Sequence, residues 1–148
     1  MRYAGIPSLL LPVPQGWEDR SQLILAVAGE GFRRNLLVVV EDLSGRSEKD
    51  FVEGHLETLA ATFAHLSVRL EEPVKLGAHE GQLLDYDFTS DGLRYRQRQF
   101  LVFRGERAYC FTYSDTSDRF EEHVQAMEQL VGGMRFVDEG RPADAFEV

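Results

Sequence analysis

Two aspartates in alternate positions are the first candidates for chemistry. Asp85 and Asp87 are two residues apart, and alternate residues of a strand lie on one face, so they could form an acid–base pair. An Asp-Gly hairpin turn at positions 91–92 would place Asp85 opposite Arg98 and Asp87 opposite Arg96. Arginine partners keep carboxylates ionised, which argues against a proton donor. We therefore expect structural ion pairs at these positions.

No other residues have the spacing of a catalytic or metal site. The 4 histidines are scattered, and Cys110 is the single cysteine, which leaves neither a disulfide nor a metal-binding pair. The patterns G-x-S-x-G, H-E-x-x-H and C-x-x-C do not occur. The glycines around Glu30 lead into a strand, whereas a nucleotide-binding loop leads into a helix. We expect no enzyme activity, no cofactor and no metal.

The Asp-Gly turn predicts an antiparallel meander over residues 82–114, with a second turn at Gly105-Glu106. One side of this meander, the uncharged face, carries Leu84, Tyr86, Phe88, Tyr95, Gln97, Gln99, Leu101, Phe103, Cys110, Thr112 and Ser114. The other side, the charged face, mixes aspartates and arginines with aromatic and aliphatic residues. An uncharged but partly polar face suits an apolar ligand whose polar groups need partners. A core margin near a sheet edge explains the same pattern, and the sequence alone favours that explanation.

The remaining patterns predict two helices and five more strands, one of them short and next to the C-terminal tail. Strands are expected at residues 8–13, 21–28, 35–40 and 68–76, with 35–40 central and 68–76 at an edge because of Pro73. Ser47 is a helix N-cap, followed by Phe51, His55, Leu59, Phe63 and Leu66 at helical spacing. His55 on this stripe is best explained as a hydrogen-bonded core histidine.

The second helix has its own apolar stripe, after a cluster of N-cap residues at 115–118. The stripe consists of Phe120, Val124, Met127 and Val131, and Gly132-Gly133 ends the helix. A short strand is expected at residues 134–137. The prediction is a single α+β domain over residues 1–137, an antiparallel sheet with two main helices, followed by an acidic, flexible tail at 138–148.

Composition narrows the classes of partner. The chain has 148 residues, 43% of them hydrophobic, which suffices for one packed core. A net charge of -9 argues against nucleic acid and against an anionic membrane as partners. The apolar N-terminal run is interrupted by Pro7, Pro12 and Pro14, unlike a signal peptide, and no stretch is long enough to cross a membrane. We expect a cytoplasmic protein.

Three segments carry a resemblance to a known family: residues 14–21 (PQGWEDRS), 51–63 (FVEGHLETLAATF) and 91–114 (DGLRYRQRQFLVFRGERAYCFTYS). Together they resemble the DcrB-like branch of the Mog1/PsbP fold and, within it, the effector-associated (Eag) chaperones of bacterial type VI secretion. The resemblance extends to about residue 137. It implies a cytoplasmic homodimer that holds the N-terminal transmembrane helices of a PAAR/Rhs-type effector before the effector is loaded on the secretion spike.

The resemblance also implies a client-binding groove. His55 stands where the family tends to have glutamine, and the strand at 35–40 is more aliphatic than in the family, which often has serine there. The implied groove residues are Ile24, Val38, His55, Phe63, Tyr86, Gln97, Gln99, Leu101 and Thr112. In the groove, Gln97 and Gln99 would hydrogen-bond small polar groups of the client helices.

Two other functions remain as alternatives. A Mog1/PsbP-like regulatory module would contact a folded partner through charged loops such as residues 18–20. An enzyme or small-ligand carrier would use Trp17 and the aromatic residues. Charge reversal in the loops would separate the first alternative from the chaperone.

Overall fold

The computed structural model describes residues 2–6, 9–17, 22–29 and 31–136. The predicted tail at 138–148 lies outside the described residues. In chain order the elements are β1 (Arg2–Ile6), β2 (Leu9–Val13), β3 (Leu23–Ala26), β4 (Asn35–Asp42), α1 (Glu48–Thr62), β5 (Ala64–Leu76), β6 (His79–Ser90), β7 (Leu93–Arg104), β8 (Arg107–Thr116) and α2 (Phe120–Gly132).

One antiparallel sheet forms the centre of the molecule. Its 6 strands follow the order β3-β4-β8-β7-β6-β5, while β1 and β2 pair with each other in a separate hairpin. This is the predicted α+β class with two main helices. The sheet has β3 and β5 at its edges, so β5 is an edge strand as Pro73 indicated. The interpretation of β4 as central was wrong, because β4 is next to the edge.

The predicted register of the meander is confirmed. Asp91 and Gly92 both have positive φ angles, 50° and 76°, as the two central residues of a type I′ turn require. Tyr86 lies opposite Gln97, and Gln99 lies opposite Thr112. The sequence therefore predicted which side chains share a face across β6, β7 and β8.

The ion pairs of the charged face differ from the prediction in one partner. Asp85 accepts from Arg98, as expected, with Nε to Oδ2 2.7 Å. It also accepts two hydrogen bonds from Arg96, at 2.8 and 3.0 Å. The predicted Asp87–Arg96 pair is wrong, because the Arg96 guanidinium reaches diagonally to Asp85 and packs 4.1 Å from the Phe120 ring centre. Asp87 pairs instead with Arg69 and Arg94.

Each helix covers one face of the sheet. Helix α1 packs on the uncharged face, which we now call the α1 face, and Phe51, Val52 and Leu59 are buried against it. Helix α2 packs on the charged face, the α2 face, through Phe120, Val124 and Val131. Much of the uncharged face is therefore core, as the sequence alone favoured. The expected position near a sheet edge was wrong, because Gln97 and Gln99 lie on β7, an inner strand of the sheet.

Several local predictions need correction. The Ser47 side chain caps α1 by accepting from the Asp50 amide at 3.1 Å, but α1 ends at Thr62 and Leu66 belongs to β5. Helix α2 begins after Arg119 without a side-chain cap, since Asp115 and Thr116 are still in β8. Residues 79–81 belong to the start of β6, because the chain already turns at Gly77. Residues 134–136 form no strand, and residue 137 lies outside the described part.

Candidate functional site

Part of the α1 face is not covered by α1. Ile24 lies opposite Leu37, Leu37 lies opposite Thr112, and directly opposed residues share a face. The uncharged α1-facing residues of β3 and β4 are Ile24, Ala26, Asn35, Leu37 and Val39. None of them is buried, and Ile24 is 60% exposed. We call these residues the open surface.

The width of the open surface matches a helix. Helix α1 contacts side chains of β6, β7 and β8, so its axis lies near β7. Strand β4 is two strands away from β7, which corresponds to roughly 10 Å at the usual spacing of about 4.8 Å. Packed helices lie about 8–10 Å apart. A second helix above β4 would therefore contact both the sheet and α1.

Small residues line α1 on the side of the open surface. The opposite flank of α1, with Lys49 and Glu53, borders a cleft of about 920 Å³ beside β5. Helical periodicity places Gly54, Thr58 and Thr62 on the other flank. A Cβ at Gly54 would meet no atom within 4 Å. The two threonine hydroxyls donate to backbone carbonyls four residues earlier, at 3.0 and 2.7 Å, so this flank offers a close, apolar approach.

Beneath α1, a hydrogen-bonded chain joins the helix to the sheet. The Gln99 amide nitrogen donates to the Thr112 hydroxyl at 3.1 Å. Its oxygen is therefore the acceptor for His55 Nε2, at 2.6 Å. Gln99 and Thr112 are both buried. His55 is thus the hydrogen-bonded histidine that its position on the apolar stripe indicated.

A second chain runs parallel to the first, two residues further along the strands. The Tyr86 hydroxyl donates to Gln97 Oε1 at 2.5 Å, and Gln97 Nε2 donates to the Ser114 hydroxyl at 2.9 Å. Burial raises the pKa of the Tyr86 phenol above its ordinary value, and the charge of Asp85 raises it further. Tyr86 therefore remains a neutral donor at physiological pH.

Most of the predicted groove residues lie beneath α1. Tyr86 and Leu101 are 0% exposed and belong to the core, together with the buried Gln99 and Thr112. Phe63 stacks on Phe88 at 4.0 Å under the end of α1. These residues support α1, so they do not form the surface of an open groove.

Val38 lies on the wrong face for the predicted groove, whereas Ile24 lies on the α1 face. Val38 is opposite Phe111 and packs in the core under α2, because alternate residues of β4 point to opposite faces. Its neighbours Leu37 and Val39 take the place predicted for Val38. The pairing of β4 with β8 would have revealed them, but the continuous apolar run from residue 36 to 40 conceals which residues face α1.

Charge is concentrated at the ends of the open surface. On the α1 face of β3, β4, β7 and β8, Glu41 is the one charged side chain, and it is exposed. Arg33 is exposed at the other end, in the loop before β4. The two residues are eight positions apart, roughly 27 Å at about 3.4 Å per extended residue. The hydrocarbon core of a membrane is about 30 Å thick, so the uncharged interval is close to the apolar length of a transmembrane helix.

The described residues contain neither a metal-binding cluster nor a membrane-spanning helix. No group of three or more His, Cys, Asp or Glu side chains in this part of the chain is arranged to bind a metal ion. Within the same residues, neither helix is long and apolar enough to span a bilayer.

Comparison with solved structures shows the fold class. The Pseudomonas aeruginosa protein PA94, of unknown function, superposes with a TM-score of 0.76 at 20% identity, covering 97% of this chain and 99% of that one. Cyanobacterial PsbP (CyanoP) from Synechocystis sp. PCC 6803 follows at 0.51 and 12%, covering 74% and 78%. LpqN of Mycobacterium tuberculosis, involved in cell envelope biogenesis, gives 0.50 and 11%, covering 79% and 76%. The protein has a PsbP-like α+β fold.

The family follows from the sequence match. The DcrB family model matches residues 9–133, which is most of the chain, and the protein belongs to the DcrB family. No curated protein matches it.

Proposed function

We propose that this protein is a cytoplasmic chaperone for a type VI secretion effector. It binds the N-terminal transmembrane helices of the effector and shields them from water until the effector is loaded on the secretion spike. The observation that carries the proposal is the open surface, which has no charged side chain between Arg33 and Glu41. The interval between these two charges is roughly 27 Å, which is close to the apolar length of a transmembrane helix. The resemblance of residues 51–63 and 91–114 to Eag chaperones points to the same client.

The physical need for such a surface is clear. A transmembrane helix in water exposes a continuous apolar surface that promotes aggregation. Placed above β4, the helix would bury one side on Leu37, Val39 and Ile24 and a second side on the small residues of α1. Helices in membranes pack in the same way, through small residues that let backbones approach closely. The chaperone would thus replace the neighbouring helix that the client finds in a bilayer.

The working form that we propose is a homodimer. Strand β3 is an edge strand with free backbone groups, and its residues Leu23, Ile24 and Leu25 are exposed and apolar. It carries none of the charges, prolines or bulges that usually prevent edge strands from pairing. Strand β5, the other edge, has Pro73, several charged residues and two irregularities in its pairing with β6.

Co-purification tests the proposal. The full chain is co-expressed with a tagged effector N-terminus that contains the transmembrane helices, and client recovered in the soluble fraction is measured. Ile24→Asp should reduce recovery about ten-fold or more, since burying one large aliphatic side chain contributes roughly 1.5–3 kcal/mol. Because Ile24 is exposed on an edge strand, the variant should fold, and circular dichroism checks that it does.

A matched control separates the open surface from exposed apolar residues in general. Leu130 on α2 is 51% exposed, and Leu130→Asp should retain the client as well as wild type does. If a folded Ile24→Asp variant also retains the client fully, the open surface is not the binding site. Failure of the wild type to keep any effector helix soluble would instead favour the regulatory module that contacts a folded partner.

A further inference from the structure

The open surface has unlike ends. Glu41 is the single charge on the α1 face of β3, β4, β7 and β8, and it lies at the end where α1 begins. That end is located by two contacts: the Leu43 amide donates to the Glu106 carbonyl at 2.8 Å, and Phe51 packs on Phe103 at 5.8 Å. Glu41 makes no ion pair with any residue in the described ranges.

The nearby arginines do not neutralise Glu41. Arg107 lies opposite Asp42, and both project from the other face, since β4 alternates. Arg46 is held in place by hydrogen bonds to the carbonyls of Leu43 and Asp42, at 2.8 and 3.2 Å. Asp50 in the first turn of α1 adds a negative charge to the same end, whereas Glu48 and Lys49 border the cleft on the opposite flank of the helix. This end therefore presents negative charge to anything bound along the open surface.

The opposite end is positive and closed by aromatic residues. Phe32 lies 5.0 Å from Tyr95, and Tyr95 stacks with Phe88 near the end of α1. Arg33, which follows Phe32, is exposed. A cationic flank of a bound helix would meet repulsion here and attraction at Glu41.

We propose that the open surface binds its client helix in one orientation, with the Lys/Arg-rich flank of the helix at Glu41 and the other end at Phe32 and Arg33. This rests on the proposed function and specifies the chemistry that the site selects. Transmembrane helices commonly carry Lys and Arg next to one end. A helix of about 30 Å fills the interval, so its flanks fall at the charged ends. The uncharged centre of the open surface holds the helix, and Glu41 and Arg33 determine in which orientation the helix binds.

Photo-crosslinking measures the orientation. A soluble fusion carrying one helix of about 20 Leu and Ala residues is prepared in two versions, with lysines before or after the helix. A benzophenone amino acid replaces Glu106 at one end of the open surface or Phe32 at the other, and mass spectrometry identifies the joined peptides. In both versions the lysine-bearing end of the helix should crosslink to position 106 roughly five times more often than the other end does. This ratio is equivalent to about 1 kcal/mol. High salt should weaken the preference.

Charge reversal shows which residue sets the direction. Glu41→Lys should remove or invert the preference while the fusion is still retained. Glu53→Lys, a change at an exposed position of α1 on the flank that borders the cleft beside β5, should leave the preference unaltered. Retention with equal joining of both ends in the wild type would overturn the orientation while leaving the chaperone function intact. Absence of retention in the wild type would overturn both.

Discussion

The sequence alone leaves two possible roles for Gln99. An amide on an uncharged face could bind a client or support the fold. In the structure its oxygen accepts from His55 and its nitrogen donates to Thr112, so the side chain is used internally. A buried amide without partners would cost about 1–3 kcal/mol. This cost explains why the two residues that face Gln99, His55 on α1 and Thr112 on β8, are both polar. Client contact is therefore expected from Leu37 and Val39 on β4, two strands away from Gln99.

Cys110 provides a prediction at the same scale. It is buried, and this burial raises the pKa of its thiol from 9.0 to about 12, with a smaller contribution from Glu41. Between pH 9 and 12 the thiol of the unfolded chain ionises but the native thiol does not, so the free energy of unfolding falls as pH rises. From about pH 8 to about pH 10, wild type should lose about 1 kcal/mol more than Cys110→Ala.

Urea unfolding at each pH measures this difference. Cys110→Ala also removes packing, which lowers stability at every pH, so the informative quantity is the change with pH. Ionising tyrosines affect both proteins alike. Equal pH dependence in the two proteins would show that the Cys110 thiol ionises as readily in the folded state as in the unfolded one.

At the scale of elements, α1 has three distinct sides. One side packs on the core through Phe51, Val52 and Leu59, and a second borders the cleft beside β5. The third side is lined with small residues and borders the open surface. Gly54 lowers helix propensity by roughly 1 kcal/mol relative to alanine, yet the space around it is open and would accept a larger side chain. Under the proposed function, glycine at this position leaves room for the client helix to approach α1 closely.

Two substitutions at Gly54 test that explanation. Gly54→Ala should raise the free energy of unfolding by roughly 1 kcal/mol in urea titrations, because propensity improves without a clash. Gly54→Leu should also fold, but its side chain would occupy the space of the client and lower retention in the co-purification assay. Ala60→Leu places the same side chain on an exposed position of α1 away from the open surface and should retain the client. Equal retention by both leucine variants would contradict this role for Gly54.

At the scale of the whole molecule, the two edges of the sheet differ. Strand β5 is long, irregular and charged, whereas β3 consists of four apolar residues that are all exposed. Exposed apolar edges favour pairing with another chain. Self-association is therefore expected to involve β3.

Lysine substitution at each edge tests this asymmetry. Leu25 on β3 is 46% exposed and Leu70 on β5 is 39% exposed, so the two sites are closely matched. Leu25→Lys should reduce self-association several-fold, because a charge on an edge strand opposes pairing. Leu70→Lys should leave it unchanged. Sedimentation velocity over a range of concentrations gives the comparison, and the reverse result would place the contact at β5.

Interactions between residues close in the chain determine much of this fold, and these could be predicted from the sequence. The Asp-Gly turn, the alternation along residues 82–114 and the Ser47 cap predicted the meander, its register and the start of α1, because turns, pleats and caps depend on residues close in the chain. The aspartate–arginine pairs followed from the register, except that Arg96 pairs diagonally with Asp85 and not with Asp87, which lies directly opposite. The diagonal pairing depends on contacts of Arg96 with Phe120 and Glu121, which are distant in sequence.

Only the tertiary structure decided which surface remains open. Sequence periodicity shows that α1 has an apolar stripe and that the meander has an uncharged face, but it does not show how far across the sheet the helix reaches. Helix α1 covers β6 to β8 and stops short of β3 and β4, which makes core residues of Tyr86, Gln99 and Leu101 and leaves Ile24 and Leu37 accessible. The reason is geometric: one helix is about 10 Å wide, and a sheet of 6 strands is more than twice that width.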